Sequence, residues 1–218
     1  KPTCGPNCHI NCNCGKYVEI GNNVFMEYFK DGEKIKSLGR HNVDFGGGLD
    51  RIVALLQNVD SVYDTDIHAP IFEEVKKISK VTNLESQRII TDHIKAATWI
   101  IMDGITPSRN QQGYILRRLI RRAIRHGRKL GIEGYFTKQI AEICIKQFSP
   151  IWIGLEEQKE HILQTIEEEE MKFNRTLDNG LRELEKIAND DFDGRKAFQI
   201  YETYGLPLEL TEEILKEK

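Results

Sequence analysis

The spacing of apolar residues along this chain changes once, near its first quarter. Between Lys16 and Phe45 apolar and polar residues alternate, in "KYVEIG", "NVFMEYFK" and "KIKSLGRHNVDF", which predicts three strands. "KDGEK", between the second and third, carries a glycine turn and predicts a hairpin. From Leu49 the period becomes helical, with Ile52, Val53, Leu55 and Leu56 on one stripe. "PIFEEVKKIS", "SQRIITDHIKAATWIIMDG" and "YILRRLIRRAIRHGRKLG" predict three further amphipathic helices, the last two closed by Gly104 and Gly131. A long acidic helix is expected over roughly 156–188. Its stripe of Phe173, Leu177, Leu181 and Leu184 reads as core, and its Glu167–Glu170 run as a solvated face. "ITPSRNQQG" reads as a loop, as do residues 1–15, rich in Cys, Asn and Gly. Strands followed by helices place the chain in the α+β class.

A chain of 218 residues can bury one large or two small cores. No apolar run approaches a membrane span and no signal-peptide pattern is present, so no membrane partner is expected and a reducing, cytoplasmic setting is. The chain opens on Lys and closes on "LTEEILKEK", which reads as a helix cut in its first turns; a piece of a longer protein is expected.

The formal net charge of −3 conceals an asymmetry. Residues 85–131 carry ten Lys/Arg against three acids, and residues 156–218 carry nine against eighteen. The basic excess points to a polyanionic partner. It is densest where Arg117, Arg118, Arg121, Arg122, Arg125 and Arg128 flank a buried stripe of Ile115, Leu116, Leu119, Ile120, Ala123 and Ile124. No acid lies between 113 and 131. Two readings stand: the arginines pair with the acidic helix, or they grip a nucleic-acid backbone. Both hold if each flank takes one partner.

Two clusters carry candidate chemistry. In "HNVDFGGGLDRIVALLQ" a strand runs into Gly46, Gly47 and Gly48, which let a ligand approach the backbone, and then into a helix. Arg51 offers a planar fork suited to phosphate, and Asp44 a carboxylate suited to an ammonium group. The plain alternative is a glycine-rich turn with an exposed Arg. The second cluster is Cys4, Cys8, Cys12 and Cys14, separated by three, three and one residues. Without a secretory signal disulfides are not expected. Four thiolates can close a tetrahedral zinc site, with His9 as a substitute ligand, and the alternative is a loop of reduced thiols. Cys144 stands apart in an apolar helix.

These stretches together resemble the alanyl-tRNA synthetases, class II aminoacyl-tRNA synthetases. "GGGLDRIVALLQ" is similar to class II motif 3, in this family close to G-x-G-L-E-R. "YVEIGNNVFMEY" resembles the family's E-I-W-N-x-V-F-M-Q strand, and "YDTDI" follows motif 3 as in the family. "RIITDHIKAATWIIMDGITPSRNQQGYILRRLIRRAIRHG" resembles the region that reads the tRNA acceptor stem, and "YETYGLPLELT" the family's Y-D-T-Y-G-F-P-x-D-L-T. The order of these stretches is the family's, over nearly the whole chain.

The resemblance implies part of a class II antiparallel sheet over 1–80, followed by an all-α tRNA-recognition domain over 81–218. It implies motifs 1 and 2 upstream of Lys1 and an editing domain downstream of Lys218, so this piece is expected to be inactive alone. The implied activity is ATP-dependent formation of alanyl-adenylate and transfer of alanine to the 3′ end of tRNA(Ala). Magnesium accompanies ATP, through ligands that the motifs here do not identify. Asp44 would hold the alanine ammonium group, Asn22 and Gly46 would line the alanine site, and Gly48 and Arg51 would bind ATP. Arg118, Arg122 and Arg125 would meet phosphate or structural acids. The chain also departs from the family. Gly21 stands for Trp, which would loosen one side of the pocket; Phe45 and Gly47 stand for Thr and Met, and Asp50 for Glu. The family reads a G·U pair through an Asn, whose position is Arg109 here with Asn110 beside it, and an Asp, whose position is Glu202. A non-catalytic RNA-binding paralogue is the alternative; intact Asp44, Gly48 and Arg51 speak against it.

Overall fold

The structure, a computed structural model, describes residues 3–12, 14–187, 192–204, 206 and 208–216. They form two compact units, Lys1–Ala69 and Pro70–Lys218.

The first unit holds a two-stranded antiparallel sheet, β1 (Gly21–Asp31) with β2 (Lys34–Gly47). The chain reverses at Gly32, whose φ of 61° suits a residue without a Cβ. Asn22 pairs with Gly46 and Val24 with Asp44; beyond Met26 the register slips, so that Tyr28 meets Ser37. "KYVEIG", expected as a third strand, is extended only at Gly21 within β1. Its backbone serves the glycine turn instead: the Ile20 carbonyl accepts from Gly48 N at 2.9 Å. Helix α1 (Leu49–Leu56) leaves β2 directly after Gly48. A 3-10 turn at Val62–Asp64 follows, opened by Ser61 Oγ accepting from Tyr63 N.

The second unit is helical: α2 (Ala69–Ile78), α3 (Leu84–Met102), α4 (Gln111–Lys129), α5 (Thr137–Phe148), α6 (Ile153–Glu157), α7 (Lys159–Ile187), α8 (Gly194–Tyr204) and α9 (Leu208–Lys216). α3 lies along α4, and α7 packs on α4, α5 and α8. Ile90, Ile94 and Ile101 of α3, Leu116, Ile120 and Ile124 of α4, and Phe173 of α7 are fully buried. Each such side chain contributes about 1.5–3 kcal/mol relative to exposure. Asn83 caps α3 by accepting from Ser86 N at 2.8 Å, and Gly104, at φ 86°, closes it.

Several expectations change in this unit. The two compact units divide at Ala69/Pro70, and the expected domain boundary at 80/81 lies one helix further along the chain. Backbone amides of Lys80 and Val81 donate to the Leu130 carbonyl at 2.9 and 3.1 Å, and Gln139 Nε2 donates to Glu74 at 2.6 Å, so α2 goes with the helices. Of the acidic helix's stripe, Phe173, Leu177 and Leu184 are buried and Leu181 is half-buried; position 188, its expected end, lies outside the described residues. The Glu167–Glu170 run is not a solvated face. Glu169 is 6% exposed and Glu170 fully buried, because each meets a dedicated set of donors across the bundle.

Candidate functional site

The hairpin register decides which side chains meet at the glycine turn. Residues directly opposite in an antiparallel pair share a face, and the face repeats every second residue. Asn22, opposite Gly46, therefore shares a face with Gly46 and Asp44. A Cβ on Gly46 would come 3.2 Å from Asn22 Oδ1, so the Asn amide lies over the glycine backbone. Asp44 is exposed, and its carboxylate makes no hydrogen bond or ion pair among the described residues. One turn into α1, Arg51 Nη1 donates to the Glu19 carbonyl at 2.9 Å, with its Cδ against Gly48. This bond fixes the exposed guanidinium at the strand's end and leaves its other donors to solvent. The turn thus offers an exposed carboxylate, an amide, bare backbone and a tethered guanidinium, close together along the chain.

On the opposite face, Gly21 does not leave a gap: a Cβ there would meet the Phe45 ring at 2.9 Å, and one on Gly47 would meet it at 3.2 Å. The Phe45 ring thus covers the space beside Gly21. Behind α1, His68 is 3% exposed and its Nε2 lies 3.2 Å from Asp50 Oδ2, with the Tyr63 ring 5.5 Å away. Asp50, met in the sequence as an acid of the helix's first turn, ties that helix to the loop after the 3-10 turn.

The four cysteines of the N-terminal loop converge, their Sγ atoms all within 4.8 Å of one another. Cys4 and Cys12 are 3.3 Å apart and Cys8 and Cys14 3.7 Å. Tetrahedral Zn–S bonds of about 2.3 Å require S···S separations near ~3.8 Å, so the donor set fits a four-thiolate centre. His9 stands aside: its Nδ1 accepts from Asn11 N at 3.2 Å. A hydrogen bond from the Lys16 amide lowers the Cys14 thiol to about 7, whereas sharing a proton with Cys12 raises Cys4 to about 11. Buried Cys144 is pushed up to about 12 by desolvation, the state of an inert core thiol.

On α4 the arginines divide. Arg121, 4% exposed, donates from Nε to Glu169 at 2.6 Å and lies over the Phe173 ring, while Arg117 Nε is 3.5 Å from the same carboxylate. These two follow the intramolecular reading. Burial lowers the Arg121 pKa and the Glu169 charge opposes that shift. Arg125 is also inside, 5% exposed, so it belongs to the bundle and not to its surface. Arg118 and Arg122 are half-exposed, the latter 3.0 Å from His93 Nε2.

A cleft of about 630 Å³ opens over the Arg121–Glu169 pair. Arg109 and Glu202, distant in sequence, both line it, as do Phe198 and Tyr201. Neither Arg109 nor Glu202 has a hydrogen-bond or ion-pair partner among the described residues. Asn110 does not line the cleft; it is the N-cap of α4, where its side chain makes no capping bond. Its loop lies hard against the helix: a Cβ on Gly113 would come 2.2 Å from Ser108 Oγ and 2.5 Å from the Thr106 carbonyl. Gly113→Ala should therefore displace the Arg109–Asn110 loop and lower stability by about 1–3 kcal/mol, read from thermal unfolding. Unchanged stability would show that the loop is not held this way. Phe198 and Tyr201 were not among the expected site residues, although their spacing from Glu202 puts all three on one face of α8.

The sequence profile of the family described as tRNA synthetases class II (A) matches residues 5–218. The chain is 43% identical to the alanine–tRNA ligase of Treponema pallidum over 232 residues, covering 99% of this chain and 38% of that protein. It is 44% identical to the alanine–tRNA ligase of Borreliella afzelii over 227 residues, covering 98% and 38%. With alanine–tRNA ligase 1 of Lachnoclostridium phytofermentans it shares 42% over 230 residues, covering 99% and 26%. The chain thus spans between about a quarter and two fifths of the length of these relatives. Among the described residues no helix is long and apolar enough to cross a membrane.

Proposed function

The chain belongs to the class II alanine–tRNA ligase family, and from that premise we propose that it forms part of an enzyme that activates alanine with ATP and transfers it to the 3′ end of tRNA(Ala). The single observation that supports this most is the shared face of Asn22, Asp44 and Gly46, leading through Gly48 to the tethered Arg51. Asp44 receives the alanine ammonium group by a charge-assisted hydrogen bond. Asn22 and the bare backbone at Gly46 shape the space around the amino acid. The alanine carboxylate attacks the α-phosphorus of ATP, and the bond to pyrophosphate breaks. Arg51, beside Gly48, offsets the charge that moves onto the leaving group. No side chain acts as nucleophile; positioning and electrostatics carry the step. ATP arrives with Mg2+, to which no residue here is assigned.

The Cys4, Cys8, Cys12 and Cys14 thiolates hold a structural zinc ion in this reading. Elemental analysis should find about one zinc per chain, by the closed four-ligand geometry of such sites. A chelator should disorder the N-terminal loop while the helices persist. Metal-free protein with four freely titrating thiols in the loop would exclude the site.

Glu202, Asn110 and Arg109 face the acceptor stem of tRNA, with Arg118 and Arg122 supplying phosphate contacts. What supports this is the convergence of Arg109 and Glu202 on one cleft, their charges without partners among the described residues. Base readers and phosphate contacts separate experimentally. Arg118→Ala should weaken all RNAs alike and flatten the salt dependence of binding. Glu202→Ala or Asn110→Ala in the whole ligase should alter the preference for minihelices with G·U over G·C in the acceptor stem, with a smaller effect on overall affinity. An unaltered preference in both variants would remove them as the readers.

A further inference from the structure

The segment that joins the cysteine loop to β1 carries two of the bonds that shape the glycine turn. The Ile20 carbonyl accepts from Gly48 N, and the Glu19 carbonyl from Arg51 Nη1, each at 2.9 Å. A carbonyl fixes a guanidinium only if the carbonyl is itself held. Burial does not hold this one: Tyr17, Val18, Glu19 and Ile20 are all exposed, and residues 18–20 lie in no regular element. Among the described residues the β1–β2 ladder stops at Gly21. The other end of the segment is Cys14, the last of the four converging thiols, and only residues 15–18 separate it from Glu19. Gly15, at φ 77°, turns the chain out of the loop, and the Lys16 amide donates back to the Cys14 sulfur. Hydrogen bonds of this kind orient a metal-bound ligand. The alanine side of the site is held differently. Asn22, Asp44 and Gly46 stand in register within the ladder itself, which does not depend on the loop.

Resting on the zinc and ligase readings given above, we propose that the metal-closed cysteine loop is a positioning element for the ATP side of the adenylate site. By fixing Cys14 it fixes the Glu19 carbonyl, and through that carbonyl the guanidinium of Arg51. Four metal–thiolate bonds take the conformational freedom from the start of an otherwise exposed segment, and loss of the metal returns it. The tether then wanders, and Arg51 spends less time with its donors aimed at the phosphates. The loop itself touches no substrate. Its influence runs only through Glu19 and Ile20 to Arg51 and Gly48, so ATP feels the loss of metal and alanine does not.

The test uses the whole ligase, its zinc content and alanine-dependent ATP–pyrophosphate exchange. Cys8→Ser with Cys12→Ser should lose the loop's zinc and lower kcat/KM for ATP by about tenfold, while the KM for alanine stays within about twofold. In an Arg51→Ala background the same two substitutions should cost less than about twofold further, because the group through which the loop acts is already gone. A second variant keeps the metal. Two glycines inserted between Lys16 and Tyr17 preserve the four ligands and the Lys16 amide but loosen the connection. This variant should hold zinc as wild type does and reproduce the loss for ATP, and it carries the test if the serine pair does not fold. Three results would each overturn the anchoring while the zinc reading stands: wild-type ATP constants in the zinc-loaded insertion variant, equal losses for alanine and ATP, or a full additional loss on top of Arg51→Ala. A wild-type loop whose thiols titrate freely, with no zinc, would overturn the zinc reading and the anchoring together.

Discussion

Arg51→Ala in the whole ligase should lower alanine-dependent ATP–pyrophosphate exchange by about a hundredfold, the usual scale for removing one group aimed at developing charge. The guanidinium reaches its place through two local features: the first turn of α1 directs the side chain back along the strand, and the Glu19 carbonyl holds Nη1 at 2.9 Å. Arg51→Lys should recover little, because an ammonium group cannot keep the carbonyl contact and present a second pair of donors at once. Asp44→Asn separates the two halves of the site. Asparagine retains the shape and loses the charge, so the KM for alanine should rise well above any change in the KM for ATP. Exchange at the wild-type rate in Arg51→Ala would remove this residue from the reaction. Equal losses for both substrates in Asp44→Asn would end the division of roles.

Glu170→Ala should destabilise the helical unit by about 3 kcal/mol, an effect of the size seen when a buried, fully bonded charge loses its place. The Glu170 carboxylate, fully buried, closes the N-terminus of α5 from across the bundle. It accepts from Phe136 N at 3.2 Å, Thr137 N at 3.1 Å and Thr137 Oγ1 at 2.5 Å. α5 has no side-chain cap of its own at Phe136, so truncating Glu170 strands two amides and a hydroxyl away from water. Glu170→Gln, which keeps an acceptor, should cost about 1–2 kcal/mol. A double-mutant cycle with Thr137→Ala should show coupling between the two sites. Burial raises the Glu170 pKa, with the Thr137 hydroxyl and the two amides opposing it. Because the folded-state pKa lies above the unfolded one, the folded state binds the extra proton. This contribution to stability is complete below the unfolded pKa and is lost as pH rises through the folded value. Thermal melts that are flat over this range in wild type, or a Glu170→Ala protein as stable as wild type, would contradict this role for Glu170.

Local order along the chain was enough for several conclusions. The change from alternation to a helical period located β1, β2 and the helices α1, α3 and α4, because a period is written in neighbouring residues and needs no distant partner. Gly104 as the close of α3 and the crowding of four thiols within eleven positions rest on the same locality. The order Asp44, Gly46, Gly48, Arg51 was legible as well, since a strand, a turn and a first helical turn leave those side chains little freedom.

Other features depend on what stands across the fold. "KYVEIG" alternates like a strand, yet among the described residues no neighbouring strand pairs with it before Gly21, and its carbonyls go to the glycine turn and Arg51. Glu169 and Glu170 look as solvated as Glu167 and Glu168 when read along one helix. Burial separates them, because only these two face Arg121 and the start of α5. Arg125 reads like Arg118, yet only one of them is inside the bundle. The space beside Gly21 is covered by Phe45 from the opposite strand, a compensation that depends on the register. By itself the sequence determined β1, β2, the helices α1 to α4 and α7, and the order of candidate site residues, which local spacing carries, and its motifs pointed to the family. Only the tertiary structure decided which charges are buried, which glycine is covered, and that Arg109, Phe198, Tyr201 and Glu202 share one cleft. The physical reason is that burying a charge or opening a cleft is a property of partners brought together by packing, and no single helix or strand encodes where its partners lie.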